Sequence, residues 1–122
     1  LLTALIVQSL KEFVFNQEIR PASFFANDVS VMHVVPDTDL HSYYSFPSGH
    51  TAAAFTWCLS VALYYHNRGL QMLLFLLACV TGWSRIYLAQ HFPLDVAGGI
   101  VAACISVPLS ILIRKKLNRK PF

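Results

Sequence analysis

Three stretches of this sequence run for about the length of a bilayer crossing while carrying almost no charge. Residues 49–65 contain no Asp, Glu, Lys or Arg. Residues 70–89 contain only Arg85, and residues 93–113 only Asp95. An α-helix rises 1.5 Å per residue, so roughly 20 residues cross a hydrocarbon core of about 30 Å. None of the three has the polar stripe at i, i+3, i+4 that a helix packed on a water-soluble core shows. Residues 1–10 form a fourth, shorter apolar segment. Charged residues make up 12% of the chain, against about 25% in soluble domains. These features predict an all-α transmembrane helix bundle of four segments, in a chain long enough for one domain.

The connections and the charges order the segments. His66-Asn67-Arg68-Gly69 is a tight turn and makes the second and third segments antiparallel neighbours; His91-Phe92-Pro93 does the same for the third and fourth. Residues 16–47 are polar, contain Pro21 and Pro36, and read as a long loop. Gly98, Gly99, Ala102 and Ala103 give the fourth segment a small-residue stripe suited to close helix contact in lipid, and Pro108 is a candidate kink. Residues 114–122 form a basic tail, which the positive-inside rule assigns to the cytoplasm. The opposite face then receives the 16–47 loop, all six acidic residues, and three of the nine basic ones, Lys11, Arg20 and Arg85. A bound anion would account for those three cations. The chain opens without Met directly into Leu-Leu-Thr-Ala-Leu-Ile-Val, which reads as a start part-way along a membrane helix.

Several function classes are disfavoured. A net charge of +3 without a basic, aromatic-laced stripe does not suit nucleic acid. Cys58, Cys79 and Cys104 lie in apolar runs without metal-ligand spacing. His33, Asp37, Asp39 and His41 are spaced irregularly and read as a solvated loop, so neither a metal nor another cofactor is expected.

The remaining polar residues gather at helix ends. Pro47-Ser48-Gly49-His50 opens the second segment. Ser48 is a natural N-cap, Gly49 admits close approach of a ligand to the backbone, and the free N–H groups favour an anion. His50 can protonate a leaving group, or simply sit at the interface. Arg85, near the end of the third segment, either snorkels to the headgroups or faces a partner inside the bundle. Asp95 complements the dipole of the helix that Pro93 starts. It also lies four residues after His91, a spacing at which a carboxylate can hold one imidazole nitrogen and leave the other as a nucleophile.

These residues resemble the type 2 phosphatidic acid phosphatases, relatives of the vanadium haloperoxidases. Pro47-Ser48-Gly49-His50 matches that family's second block. Ser84-Arg85, five residues, His91, three residues and Asp95 match its third. The first block, Lys, six residues, then Arg-Pro, is stretched: eight residues separate Lys11 from Arg20-Pro21. The resemblance implies hydrolysis of a lipid phosphate or diphosphate (polyprenyl, phosphatidate or lipid A type) through a phosphohistidine. His91 would be the nucleophile, Asp95 its orienting carboxylate and His50 the proton donor. Lys11, Arg20, Arg85, Ser48 and Gly49 would bind the phosphoryl oxygens, with no metal. It further implies six membrane helices in the whole protein, of which two would precede this chain. The site would open on the extracytoplasmic face of a bacterial inner membrane, with the bilayer and the lipid substrate as partners. The rival readings are a lipid phosphotransferase using the same phosphohistidine, a haloperoxidase, which the uncharged spans disfavour, and a non-enzymatic membrane remnant.

Overall fold

In a computed structural model the described residues, 1–25 and 41–118, are helical with no strand among them. The helices are α1 (Leu2–Ser9), α2 (Pro21–Phe24), α3 (Gly49–Tyr64), α4 (Arg68–Tyr87) and α5 (Pro93–Leu117), and a π-helical turn, Leu10–Val14, continues α1. Two of these, α4 and α5, are long and apolar enough to cross a membrane. The 16 residues of α3 span about 24 Å. His33, Asp37 and Asp39 lie outside the described residues, as does the end of the basic tail.

Local chemistry sets the helix ends. Asn67 caps α4, its side chain accepting the Leu70 N–H at 3.0 Å. Across the same hairpin Gln71 donates to the Ala62 carbonyl at 2.9 Å, holding α4 against α3. Pro93 begins α5. Three boundaries differ from the sequence expectation. The first segment continues to Val14 because the π-turn extends it. A single helical turn, α2, started by Pro21, interrupts the 16–47 loop. The basic tail starts inside α5, which holds Arg114, Lys115 and Lys116 in its last turn, where cations suit the carbonyl end of the dipole. The helix runs through Pro108 without a break.

Packing is inverted relative to a soluble protein. Many buried positions are small or hydroxylic, Ala52, Ala78, Ala102, Ala103, Thr51 and Ser106 among them, beside a few branched residues such as Val7, Leu74 and Val107. Large apolar side chains such as Met72, Phe75, Val80, Ile105 and Leu112 point outward. In lipid there is no hydrophobic gain in turning these inward; close backbone approach and interhelical hydrogen bonds do the holding. The helix α3 packs along both α4 and α5, and α1 lies against α3 and α5. A Cβ on Gly99 would sit 2.6 Å from the Ser48 carbonyl oxygen and 3.1 Å from the Ala52 nitrogen, so only glycine lets α5 meet the first turn of α3. One cluster of hydroxyls spans three helices: Thr3 bonds Ser106 at 2.5 Å, and Thr56 donates to Thr3 at 3.0 Å.

Candidate active site

The α3 N-terminus, the α4 C-terminus and the α5 N-terminus meet at one end of the bundle. Backbone hydrogen bonds fix the meeting. The Ser48 N–H donates to the Asp95 carbonyl at 2.9 Å, tying the second sequence block to the third. The His91 N–H donates to the Arg85 carbonyl at 3.2 Å, and the Gln90 N–H to the same oxygen at 3.0 Å. Between them Ala89 adopts φ 53°, a left-handed conformation that non-glycine residues seldom take. It turns the chain back after α4 and presents His91.

A cavity of about 550 Å³ opens here, lined by Lys11, Arg20, Gly49, His50, Arg85 and His91, with His41, Ala53 and Gln90. Six of the residues expected from sequence therefore share one wall. Asp95 sits behind His91, buried, with its Oδ2 3.5 Å from Nδ1 of the imidazole. Ser48 differs from expectation. Its side chain is fully buried and off the cavity wall, because Oγ caps α3 by accepting from the Thr51 N–H at 3.5 Å and the Thr51 hydroxyl at 2.9 Å. Its contribution is to expose the N–H groups of the first turn, beginning at Gly49.

The cations are held in place. Nζ of Lys11 donates to the Tyr44 carbonyl at 3.0 Å. Arg20 donates through Nε to the Tyr43 carbonyl at 2.9 Å, and through Nη1 to Oε1 of Gln90, also at 2.9 Å. Nε of Arg85 donates to the Ser84 hydroxyl at 3.3 Å. Tyr44, like Ala89, has a positive φ, 60°, so both left-handed non-glycine residues among those described adjoin the cavity. The π-turn explains the stretched first block. It places one residue more per turn than an α-helix would, and an irregular segment completes the distance, so Lys11 and Arg20 reach the same cavity.

His91 is buried, and that burial holds its pKa below the ordinary imidazole value; the nearby Asp95 carboxylate opposes the shift, while Arg20 and Lys11 add to it. At neutral pH the imidazole is uncharged, as a nucleophile requires. The carboxylate of Asp95 accepts from the Phe92 N–H at 2.8 Å and from the Ser45 hydroxyl at 2.5 Å. The first contact is the capping role that sequence suggested for Asp95, and it coexists with the contact to His91. Sequence reasoning missed Ser45 and Gln90 and read His41, which lines the cavity, as part of a solvated loop. Ser45 and Gln90 stand beside matched blocks as ordinary polar residues, and no spacing rule singles them out. Among the described residues no His, Cys, Asp and Glu group could hold a metal ion.

Comparison with known proteins gives a consistent set of relatives. The sequence profile of the PAP2 superfamily matches residues 1–119. YbjG of Escherichia coli (strain K12) is 40% identical over 76 residues, 62% of this chain and 38% of that protein. The undecaprenyl-diphosphatase BcrC of Bacillus subtilis (strain 168) is 41% identical over 61 residues, 50% of this chain and 31% of that protein. The crystal structure of Aquifex aeolicus LpxE superposes with a TM-score of 0.69 and 34% identity, covering 90% of this chain and 61% of the LpxE chain. The matched stretches thus span about a third of the two sequence relatives.

Proposed function

Since the chain belongs to the PAP2 superfamily, we propose that it forms the catalytic core of a membrane lipid phosphatase acting on a polyprenyl diphosphate or a closely similar lipid phosphate. One observation carries this reading: three imidazoles, those of His50 and His91 among them, and three cations from separate chain segments line a single cavity at the helix ends. The polyprenyl preference rests on the relative named undecaprenyl-diphosphatase.

The phosphoryl group lies between Lys11, Arg20, Arg85 and the N–H groups at the start of α3, which balance charge on its oxygens. With Nδ1 of His91 toward Asp95, Nε2 attacks phosphorus. A P–N bond forms as the P–O bond to the leaving group breaks, and His50 gives the departing oxygen its proton. Water then attacks the phosphohistidine, His50 takes the water proton, and inorganic phosphate leaves with His91 restored. Asp95 stabilises the imidazolium of the intermediate. Arg68, Arg114, Lys115 and Lys116 lie at the opposite helix ends. The positive-inside rule accordingly supports an extracytoplasmic cavity, with the 16–47 loop on that side, a cytoplasmic basic end and lipid entering from the outer leaflet.

Phosphate release from undecaprenyl diphosphate, phosphatidate and lipid A substrates, measured on the membrane-inserted protein, tests the proposal. His91→Ala is expected to lower turnover about a thousandfold or more, the scale on which removing a nucleophile acts, while the protein still inserts. Undiminished release by that variant would overturn the mechanism, and phosphate appearing on a second lipid would make the enzyme a transferase.

A further inference from the structure

One oxygen serves three groups. Oδ2 of Asp95 accepts from the Ser45 hydroxyl and from the Phe92 N–H at 2.8 Å, and it is also the atom 3.5 Å from Nδ1 of His91. That third distance is too long for a hydrogen bond, and Nδ1 is buried without any other partner. Ser45 is only 1% exposed, and its own N–H donates to the Glu18 carbonyl at 3.2 Å. It thus ties the region of the first block to the carboxylate of the third, although it belongs to none of the three blocks. A merely space-filling residue in that loop would not need a hydroxyl aimed at a buried carboxylate.

We propose that Ser45 is a positioning residue for the reaction: its hydroxyl, with the Phe92 N–H, anchors Asp95 and takes up part of the carboxylate charge, so that His91 is oriented by an anion it only partly commands. The inference rests on the reading of His91 as nucleophile. A carboxylate free to pair fully with His91 would favour the protonated ring, which cannot attack. A carboxylate with no anchor would follow the ring instead of fixing it. Two permanent donors on Oδ2 avoid both outcomes, and the contact with Nδ1 tightens when the ring gains positive charge on phosphorylation.

The charged and titratable groups around His91 are Asp95 on α5, Arg85 on α4, His50 on α3, Lys11 in the π-turn, and Arg20 and His41 from the loops. Removing the Ser45 hydroxyl changes only how much of the Asp95 charge reaches the ring. In Ser45→Ala the acid limb of the kcat/KM profile therefore moves to higher pH, by about half to one unit, and kcat falls. Ser45→Thr keeps the hydroxyl and returns the limb to its wild-type position. The assay is phosphate release from farnesyl diphosphate by the membrane-inserted protein, alongside His91→Ala. An Ala limb that stays at the wild-type pH, whatever the change in kcat, would sink the proposal. Should Ser45→Ala not accumulate in membranes, Ser45→Cys, a weak donor of similar size, must show the same upward shift. Loss of activity in His91→Ala with no shift at Ser45 refutes this inference alone; full activity in His91→Ala refutes the reading beneath it as well.

Discussion

In the proposed mechanism His91 sets the pH at which the site can work. The free ring titrates near 6.5, and burial lowers that value in the folded protein, so the proposed nucleophile stays neutral at lower pH than a free imidazole would. The acid limb of kcat/KM is expected below the ordinary imidazole pKa, and a pH–rate profile checks it. The same shift has a stability consequence. As pH falls past the unfolded value the unfolded chain takes up a proton that folded His91 resists, so the stabilisation is present above that range and lost as pH drops toward the folded pKa. Melting temperatures in detergent should fall with acid, and His91→Asn should flatten part of that slope. At this scale spacing in the sequence marks residues that gather at the cavity and leaves their supports unmarked. His50, Arg85, His91 and Asp95 stand in recognisable spacings, and each reaches the site. Ser45 and Gln90 act by aiming a single hydrogen bond, which depends on backbone geometry in a loop and leaves no period or spacing to read. Ser48 takes the N-cap role its place in the motif suggested, its oxygen accepting from Thr51 and its side chain lying off the cavity wall.

Helices carry these side chains to the site, and their approach is set by size. The contact of α5 with the first turn of α3 depends on Gly99, because an added methyl would meet backbone atoms that cannot rotate away. Gly99→Ala should push α3 off α5, weaken the hydrogen bond from the Ser48 N–H to the Asp95 carbonyl, and displace the N–H groups that face the cavity. The expected cost is about 1–3 kcal/mol in stability and at least a tenfold loss of kcat/KM; thermal shift and phosphate release measure the two, and a variant as active as wild type would show that the close approach is not needed. The small-residue stripe announces this contact in the sequence through Gly99, while Gly98 in the same stripe meets Phe46 and Pro47 just before α3. The π-turn is not announced. Nothing in Lys-Glu-Phe-Val marks an i→i+5 turn rather than an ordinary i→i+4 one. The continuation of α5 through its basic end has a similar origin: charge marks a membrane boundary, but Lys and Arg are good helix formers, so the helix does not stop where the hydrocarbon does.

Across the whole molecule the charge distribution and the site make one statement about orientation. The acceptors and cations of the cavity lie where α3 and α5 begin and α4 ends; Arg68 and the basic end of α5 lie at the other extremity. In the proposed orientation the three cations on the acidic side face a cavity suited to an anion, and the basic end lies where the positive-inside rule puts it. Single cysteines in a background with Cys58, Cys79 and Cys104 replaced by Ala read this directly. Ser42→Cys, beside the cavity, should react with a membrane-impermeant maleimide added to intact cells, and His66→Cys, in the α3–α4 turn, should react only after the membrane is opened. The opposite labelling pattern would place the cavity in the cytoplasm and make an outer-leaflet lipid the wrong substrate, leaving the chemistry of His91 untouched. Labelling of both positions from outside would instead mean that α3 does not carry the chain across. That outcome has physical weight behind it, since the 16 residues of α3 reach about 24 Å against a core of about 30 Å. The exposed Tyr64 and Tyr65 at its far end and the polar first turn at its near end favour the crossing that the labelling tests. Aromatic side chains favour the headgroup level, and a helix flanked by interfacial residues spans a bilayer that thins locally by a few ångströms.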